Sequence, residues 1–367
     1  MAVHRVGLVV HKGRPEAVAA SDLVRTWCAD HDVRCSEIDV WDAGVQRRGA
    51  REELAAAGEP DLIVTLGGDG TFLRGARLAA HNGSLLLGID FGHVGFLTEV
   101  PAHDVLQALD AVQESRITVE HRMLLTMRAS RPLSPPEELD PLGLYGRRPG
   151  LPPPQPRAGC EVGGGWGVAL DLLGLNEVVV EKFARDGRVA AAVYFAGRLL
   201  ACYAGDALLV ATPTGSTAYS FAAGGPVVSP RAEVLVFTPV AAHMVFKRSV
   251  LAAPDEPIAI RLLSNSGTAA VSVDGQLRGV LEPGDWVGAY AAPTRLRVAR
   301  LGPTDFYGRV RRRMRLTDAP ATSSDGEVPS AWPLTSPPPH DLEHLNLPTL
   351  QAGRHLPSVV RRAEDED

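Results

Sequence analysis

The sequence predicts a protein with two domains, an α/β domain followed by a β-rich domain. Strand-like and helix-like segments alternate up to about residue 125, and residues 168–300 consist mostly of short apolar runs separated by turns. Between them, residues 131–167 are crowded with proline and glycine and show little periodicity. The 367 residues are enough to give each domain a sizeable core.

Composition excludes several classes of protein. Hydrophobic residues make up 45% of the chain and charged residues 22%, as in ordinary globular proteins. The net charge of −6 gives no global basic field that would recruit nucleic acid. No apolar stretch approaches the roughly 20 residues of a membrane-spanning helix, and the apolar run at residues 6–10 is too short for a signal peptide. We therefore expect a cytoplasmic protein without nucleic-acid or membrane partners.

The cysteines Cys28, Cys35, Cys160 and Cys202 form no C-x-x-C pair, and no histidine cluster has the spacing of metal ligands. This pattern predicts free thiols in a reducing compartment rather than a zinc site or a disulfide framework.

The first domain is predicted from its alternating segments. Strands are expected at residues 6–10, 35–40, 61–66 and 85–89, and helices at residues 16–31, 71–80 and 104–112. This alternation predicts a parallel sheet covered by helices. Residues 120–129 then alternate like an antiparallel strand.

Residues 168–300 are predicted to form β structure. Strands are expected at residues 177–181, 190–195, 207–211, 258–263, 269–273 and 287–290, and Asp274-Gly275 is a hairpin-type turn. The predicted organisation is an α/β domain at 1–125, an insertion at 131–167, a β-rich domain at 168–300, a return segment at 301–317 and a disordered tail at 318–367.

The strongest local feature is a glycine-rich turn at residues 67–71, Gly-Gly-Asp-Gly-Thr, between a predicted strand and a predicted helix. Glycine allows a ligand to approach the backbone closely, and a helix N-terminus favours phosphate. Asp69 lies within this turn, where a carboxylate could accept a proton from an attacking hydroxyl or hold Mg²⁺. The alternative is an aspartate that only caps the helix.

A second feature is the hydroxyl-rich turn Thr-Pro-Thr-Gly-Ser-Thr at residues 212–217, followed by Tyr219. Hydroxyl groups and backbone N–H groups in such a turn can bond ribose hydroxyls and phosphate oxygens. The alternative is a polar β-turn that binds no ligand.

Taken together, several segments resemble the NAD kinase family. They are GGDGT at 67–71, GIDFGHVGFL at 88–97, Asn-Glu at 176–177, TPTGSTAYS at 212–220, AGGP at 223–226 and SVDGQ at 272–276. Their order also fits the family, and the resemblance covers about residues 3–300 without the insertion.

The resemblance implies an N-terminal α/β domain, a β-sandwich-like C-terminal domain and a nucleotide in the cleft between them. It implies transfer of the terminal phosphoryl group of ATP, or of polyphosphate, to the 2′-hydroxyl of the adenosine ribose of NAD, which gives NADP. It also implies a divalent cation such as Mg²⁺ and a homo-oligomer.

Roles for single residues follow from the resemblance by position. Asp69 would be the catalytic proton acceptor, with Gly68 and Gly70 in the phosphate-contacting loop and Arg74 within reach of phosphate. The residues that would bind the dinucleotide are Asn176, Glu177, Asp206, Thr214, Gly215, Ser216, Thr217, Ala218, Tyr219 and Gln276. No protein metal ligand is assigned.

The sequence departs from the family pattern at four places, and two of these departures, Asp90 and Ala204, motivate an alternative function, against which the retained Asp69 argues. Asp90 replaces the usual asparagine, Ala204 the usual arginine and Ala207 the usual glycine, and residues 243–248 read HMVFKR. The alternative is a non-catalytic or weakly active NAD(P)-binding regulatory paralogue. A lipid kinase also has a Gly-Gly-Asp-Gly-Thr turn, but the later segments match that class less well.

Overall fold

The computed structural model describes residues 3–40, 49–92, 95–135, 151–157, 167–184, 187–302 and 304–316. The predicted tail at 318–367, Cys160 and much of the predicted insertion at 131–167 lie outside the described residues. Of the three cysteines that are described, Cys28, Cys35 and Cys202 are free thiols, as predicted.

The helices and strands are as follows. The helices are α1 Pro15–Asp30, α2 Ala50–Ala56, α3 Asp69–Asn82, α4 Val105–Gln113, α5 Tyr219–Ala222 and α6 Phe306–Arg313. The strands are β1 Arg5–Val10, β2 Arg34–Glu37, β3 Leu62–Gly67, β4 Leu85–Asp90, β5 Val100–Pro101, β6 Thr118–Ala129, β7 Val168–Ala169, β8 Glu177–Lys182, β9 Val189–Phe195, β10 Arg198–Gly205, β11 Ala207–Ala211, β12 Leu235–Val240, β13 Val250–Ala252, β14 Ile258–Leu262, β15 Ala269–Val273, β16 Gln276–Leu281 and β17 Trp286–Arg300.

The N-terminal part is the predicted α/β domain. Strands β2, β1, β3 and β4 lie side by side in parallel. Helices α1 and α4 pack on one face of this sheet, and α2 and α3 pack on the other. Since every residue of β3 and β4 is buried, both faces are covered, as continuous apolar strands predict.

Helix boundaries follow local chemistry. Pro15 occupies the start of α1, where its missing N–H costs nothing. Helix α3 ends before Gly83, whose φ of 74° is the left-handed conformation that commonly ends helices.

Strand β17 joins the two halves of the chain. It pairs antiparallel with β6 over most of its length, and near its end Arg297 and Val298 pair in parallel with Leu85 and Leu86 of β4. The strand predicted at 287–290 is only part of β17, because Pro293, Thr294 and Arg295 interrupt the apolar pattern after Ala292.

The later strands form a β-sandwich, which confirms the predicted β-rich domain. One sheet has the order β13-β12-β11-β8-β15-β16, and β10, β9, β14, β17 and β6 belong to the other. A buried cluster between them contains Tyr203, Leu208 and Phe237. Asp274 and Gly275 join β15 to β16 with φ values of 49° and 72°, which confirms the predicted hairpin turn and gives it type I′ geometry. Among the described residues, no helix combines the length and apolar character needed to cross a membrane.

Candidate active site

Asp69 is the first residue of α3, directly after β3 and Gly68. Its Oδ2 accepts a hydrogen bond from the backbone N–H of Phe96 at 3.0 Å. Its Oδ1 accepts bonds from the N–H groups of Leu97 at 3.2 Å and Thr98 at 3.4 Å. The alternative that Asp69 only caps its own helix is therefore wrong, because its carboxylate is held by a different loop.

The loop at residues 95–98 lies so close to Asp69 that its first residue, Gly95, has no room for a side chain. A Cβ atom on Gly95 would lie 1.9 Å from Asp69 Oδ1. Asp90, the departure from the family pattern, has its carboxylate bonded by the N–H groups of Gly92 at 2.9 Å and Gly95 at 3.3 Å. The same loop thus donates backbone N–H groups to both carboxylates, which partly offsets the negative charge of Asp90.

The backbone beside Asp69 is open to ligands. A Cβ atom added to Gly68 or Gly70 would meet nothing within 4 Å. Both glycines line a cavity of about 710 Å³ at the N-terminus of α3. Free N–H groups at such a helix end favour anions.

A buried ion cluster connects this loop to the hydroxyl-rich turn. Glu120 bonds Arg300 Nε at 2.6 Å and lies 3.0 Å from Arg122 Nε. Arg300 Nη1 donates to the carbonyl of Leu97 at 3.1 Å, and Arg122 Nη1 donates to Thr214 Oγ1 at 3.3 Å. The N–H group of the same Leu97–Thr98 peptide donates to Asp69. The ion cluster therefore holds both the loop at residues 95–98, which binds Asp69, and the hydroxyl-rich turn.

The charge balance of the cluster follows from its burial. Arg122 and Arg300 are 4% and 3% exposed. Burial alone would raise the pKa of Glu120, but the two guanidinium groups outweigh it and hold that pKa below its ordinary value. Burial lowers the pKa of both arginines. Glu120 is therefore an anion that compensates two buried cations.

Asn176 directly precedes β8 and Glu177 is its first residue, and the backbone of both is bound by the half-buried Asp274. The Asp274 carboxylate accepts the N–H groups of Leu175 at 2.8 Å, Asn176 at 2.7 Å and Glu177 at 3.2 Å. The hairpin turn predicted from Asp274-Gly275 thus also anchors the Asn-Glu pair.

Glu177 is 6% exposed, and its Oε2 has no hydrogen-bond partner among the residues that the structure describes. Burial, and secondarily the charge of Asp274, raises the pKa of Glu177 to about 8, although the N–H of Tyr219 opposes this shift. The carboxyl group is therefore largely protonated at neutral pH and can donate as well as accept a hydrogen bond.

Glu177→Gln should make the protein more stable than wild type at alkaline pH. The pKa of Glu177 is about 4.5 in the unfolded chain and about 8 in the folded protein. Its contribution to the free energy of unfolding is therefore fully present below pH 4.5 and is lost as the pH rises through about 8. The neutral amide removes this loss, so the free energy of unfolding of the variant relative to wild type should rise by about 2–4 kcal/mol between pH 5 and pH 8.5. Urea unfolding at both pH values measures it. Glu114→Gln, at an exposed position, is the control, and a difference that stays constant with pH would contradict the expectation.

The hydroxyl-rich turn follows β11 and packs on Asn176. The N–H of Thr212 donates to the carbonyl of Asn176 at 2.8 Å, and a Cβ atom on Gly215 would lie 2.1 Å from that carbonyl oxygen. Gly215 is thus needed for this close approach.

The hydroxyls of the turn differ in availability. Ser216 Oγ accepts the N–H of Val228 at 2.9 Å and is fully buried, so it holds the turn in place. Thr217 Oγ1 donates to the carbonyl of Thr214 at 3.3 Å. Ala218 is the residue directly before α5. Tyr219 is 39% exposed and is the member of this group that presents a ring to solvent.

Asp206 lies at the opposite end of β11 from the turn and forms an ion pair with Lys182 at 2.7 Å. The strand places it roughly 16 Å from the turn. Burial raises the pKa of Tyr219, and the charges of Glu181 and Asp206 add to the shift, so Asp206 acts on the same surface electrostatically.

The cavity brings together only some of the predicted site residues. Gly68, Asp69, Gly70, Arg74 and Gln276 line it. Asn176, Glu177 and residues 214–219 are not among its lining residues, but Asp274 both lines it and holds Asn176 and Glu177. The predicted site therefore has two adjoining regions, which meet at Asp274.

The chain matches two family models that together span most of its length. Residues 12–117 match the ATP-NAD kinase N-terminal domain, and residues 175–301 match the ATP-NAD kinase C-terminal domain. It is 67% identical to NAD kinase 1 of Streptomyces avermitilis over 95% of this chain and 97% of that protein. It is 64% identical to NAD kinase 1 of Streptomyces coelicolor, over 95% of this chain and 96% of that protein. The chain belongs to the NAD kinase family.

Solved structures of NAD(H) kinases share the fold. The yeast NADH kinase complexed with NADH matches with a TM-score of 0.65 and 18% identity, over 86% of this chain and 88% of that one. An NAD kinase from Archaeoglobus fulgidus in complex with ATP matches with a TM-score of 0.57 and 19% identity, over 85% of this chain and 98% of that one. The predicted NAD kinase fold is confirmed.

Sequence reasoning missed how several residues hold the candidate site in place. Asp274 was identified only as part of a hairpin turn and of the segment at 272–276 that resembles the family, and the cluster of Glu120, Arg122 and Arg300 was not identified at all. Charged residues within the alternating strands β6 and β17 were the available signal, since an inward-facing charge in a strand needs a partner.

Proposed function

We propose that the chain transfers the terminal phosphoryl group of ATP to the 2′-hydroxyl of the adenosine ribose of NAD, which gives NADP and ADP. The observation on which this rests is the placement of Asp69. Its carboxylate sits at the N-terminus of α3, beside a cavity of about 710 Å³, in a chain of the NAD kinase family. An acid and an anion-binding helix end are what transfer of a phosphoryl group to a sugar hydroxyl needs.

In this proposal Asp69 accepts the proton of the 2′-hydroxyl. The oxygen of that hydroxyl forms a bond to the γ-phosphorus, and the bond from phosphorus to the bridging oxygen of ADP breaks. The amides of Phe96, Leu97 and Thr98 fix the carboxylate, so little reorganisation is needed when the hydroxyl arrives.

The phosphates of the donor would lie against Gly68 and Gly70. The N–H groups of the first turn of α3 favour anions, and Arg74 lies one turn farther along the same cavity wall. These groups would stabilise the charge on the phosphoryl group as it moves.

NAD would occupy the region beside the cavity. Asn176 and Glu177 would bond its adenosine half, and the turn at 214–219 would line the dinucleotide from the opposite side. Asp206 would meet the nicotinamide ribose, and Gln276 would approach the edge of the site.

The residues present fit a magnesium ion that arrives with ATP. Within the described residues, no group of three or more His, Cys, Asp or Glu side chains could hold a metal by themselves. Mg²⁺ is commonly held by one or two carboxylates together with substrate phosphates, and Asp69 is the carboxylate at the phosphate end of the cavity. The ion would supply neutralisation of the phosphate charge.

The test is product formation by the purified chain. With NAD, ATP and Mg²⁺ we expect NADP, detected by an NADP-specific dehydrogenase, and none when ATP is replaced by its non-hydrolysable β,γ-imido analogue. Parallel reactions with NADH and with polyphosphate establish the acceptor and donor range. Binding of NADP without turnover would instead support the regulatory paralogue. A homo-oligomer, which the resemblance implied, stays a prediction.

A further inference from the structure

Three buried charged side chains share one face of the β6–β17 ladder. Glu120 and Arg122 are two residues apart on β6, so they point to the same side of the sheet. Arg300, the last residue of β17, pairs with Thr118 and is therefore a neighbour of Glu120 on that face. The strand register thus places an arginine on each side of one carboxylate.

Arg300 uses different nitrogens for its two hydrogen bonds. Its Nε donates to Glu120 at 2.6 Å, and its Nη1 donates to the carbonyl of Leu97 at 3.1 Å. A second carboxylate, that of Glu99, lies 3.5 Å from Nη1. Since a guanidinium group is planar and rigid, fixing its Nε on Glu120 also fixes the direction of the Nη1 that binds Leu97.

The carbonyl that Arg300 binds and an N–H group that binds Asp69 belong to the same peptide. The Leu97–Thr98 peptide accepts from Arg300 at its oxygen and donates from its N–H to Asp69 Oδ1 at 3.4 Å. In a trans peptide these two groups point in opposite directions, so the rigid peptide plane lies between the cation and the acid. The cation also polarises this peptide and strengthens its N–H as a donor.

Arg122 binds the other region of the site. Its Nη2 donates to Glu120 Oε2 at 3.0 Å, and its Nη1 donates to Thr214 Oγ1 at 3.3 Å. Thr214 is 5% exposed, so this bond fixes its side chain within the hydroxyl-rich turn. The two arginines therefore share an anion but hold different parts of the site.

We propose that Arg300 is a positioning residue for phosphoryl transfer, because it acts on Asp69 through the Leu97–Thr98 peptide. Arg122, on the other side of the shared anion, serves NAD binding instead. Arg300 is 3% exposed, so it reaches the reaction only through the peptide that it binds. This inference rests on the proposed function and deepens it, because it divides one buried cluster between the chemical step and the acceptor site.

Arg300→Lys tests the positioning role, and Arg122→Lys is the matched control. Each lysine keeps a positive charge beside Glu120, but a single nitrogen cannot reproduce the two directions of a guanidinium group. For Arg300→Lys we expect kcat to fall about tenfold, with the KM values for NAD and ATP within about twofold of wild type. For Arg122→Lys we expect the KM for NAD to rise about fivefold, with kcat within about twofold.

A double-mutant cycle with Asp69→Asn separates positioning from a general loosening of the site. If Arg300 acts through Asp69, Arg300→Lys should lower kcat by less than about twofold further once Asp69 is replaced. An unchanged kcat in the single variant Arg300→Lys would remove Arg300 from the chemical step. Full additivity of the two losses would show that Arg300 only supports the structure, and either result would overturn the inference.

Hydrogen exchange tests the inference without turnover. The backbone amides of residues 95–98, followed by mass spectrometry, should exchange about tenfold faster in Arg300→Lys and at the wild-type rate in Arg122→Lys. Equal rates in the wild type and Arg300→Lys would contradict the positioning role. If the wild-type chain formed no NADP, the proposed function would fail, but these rates would still decide whether Arg300 holds the loop around Asp69.

Discussion

Asp69→Asn should lower kcat by about 10²-fold or more while NAD binding persists, because an amide cannot accept the proton of the ribose hydroxyl. The amide NH₂ would also face backbone N–H groups that now donate to a carboxylate oxygen. Steady-state kinetics measure the loss, and calorimetric titration with NAD measures binding.

The control for this variant is its folding. Thermal unfolding should show a small change beside the loss of turnover, since the loop at residues 95–98 keeps its bond from Arg300 to Leu97. Full turnover in Asp69→Asn would retire this residue as the proton acceptor, whatever the effect on stability.

Glu120→Gln should lower the free energy of unfolding by about 3–5 kcal/mol, because it leaves the buried Arg122 without the carboxylate of its ion pair and the buried Arg300 with only Glu99 at 3.5 Å. The side chains are nearly the same size, so the loss reports charge rather than a cavity. Turnover should fall too, because Arg300 holds the loop around Asp69 and Arg122 holds Thr214. Urea unfolding at pH 7 measures the stability.

A matched control is Glu233→Gln, which breaks the surface ion pair with Arg295 at 2.9 Å. Glu233 has a side chain that is 54% exposed, so solvent screens the pair and a loss below about 1 kcal/mol is expected. Equal losses in the two variants would show that the cluster around Glu120 is solvated and does not act as a buried ion group.

Much of the fold could be predicted because it depends on local patterns. The alternation of apolar runs and helical spacing located β1, β3, β4, α1, α3 and α4 to within a few residues. The type I′ turn at Asp274-Gly275 followed from residue type alone, since few other pairs adopt two positive φ angles. The expected second strand at 35–40 was too long, because β2 ends at Glu37.

The arrangement of the site depended on contacts between distant residues, which no local pattern encodes. The position of Asp69 in its turn was evident, but the amides that hold its carboxylate come from a loop 27 to 29 positions later. Asp274 lies 97 to 99 positions after the amides it binds. The resemblance to the NAD kinase family supplied candidate residues; the physical support for each of them became visible only in three dimensions.

The parallel pairing of β17 with β4 has a consequence for how the chain reaches its native state. Arg297 pairs with Leu85, which lies more than two hundred residues earlier in the sequence, so the part of this edge of β4 that β5 does not cover stays unpaired until β17 has been synthesised. Such non-local pairing is entropically costly and slow, and an open strand edge invites association with other chains. The nascent protein is therefore most vulnerable to aggregation during the long interval between synthesis of its first half and arrival of its last strand.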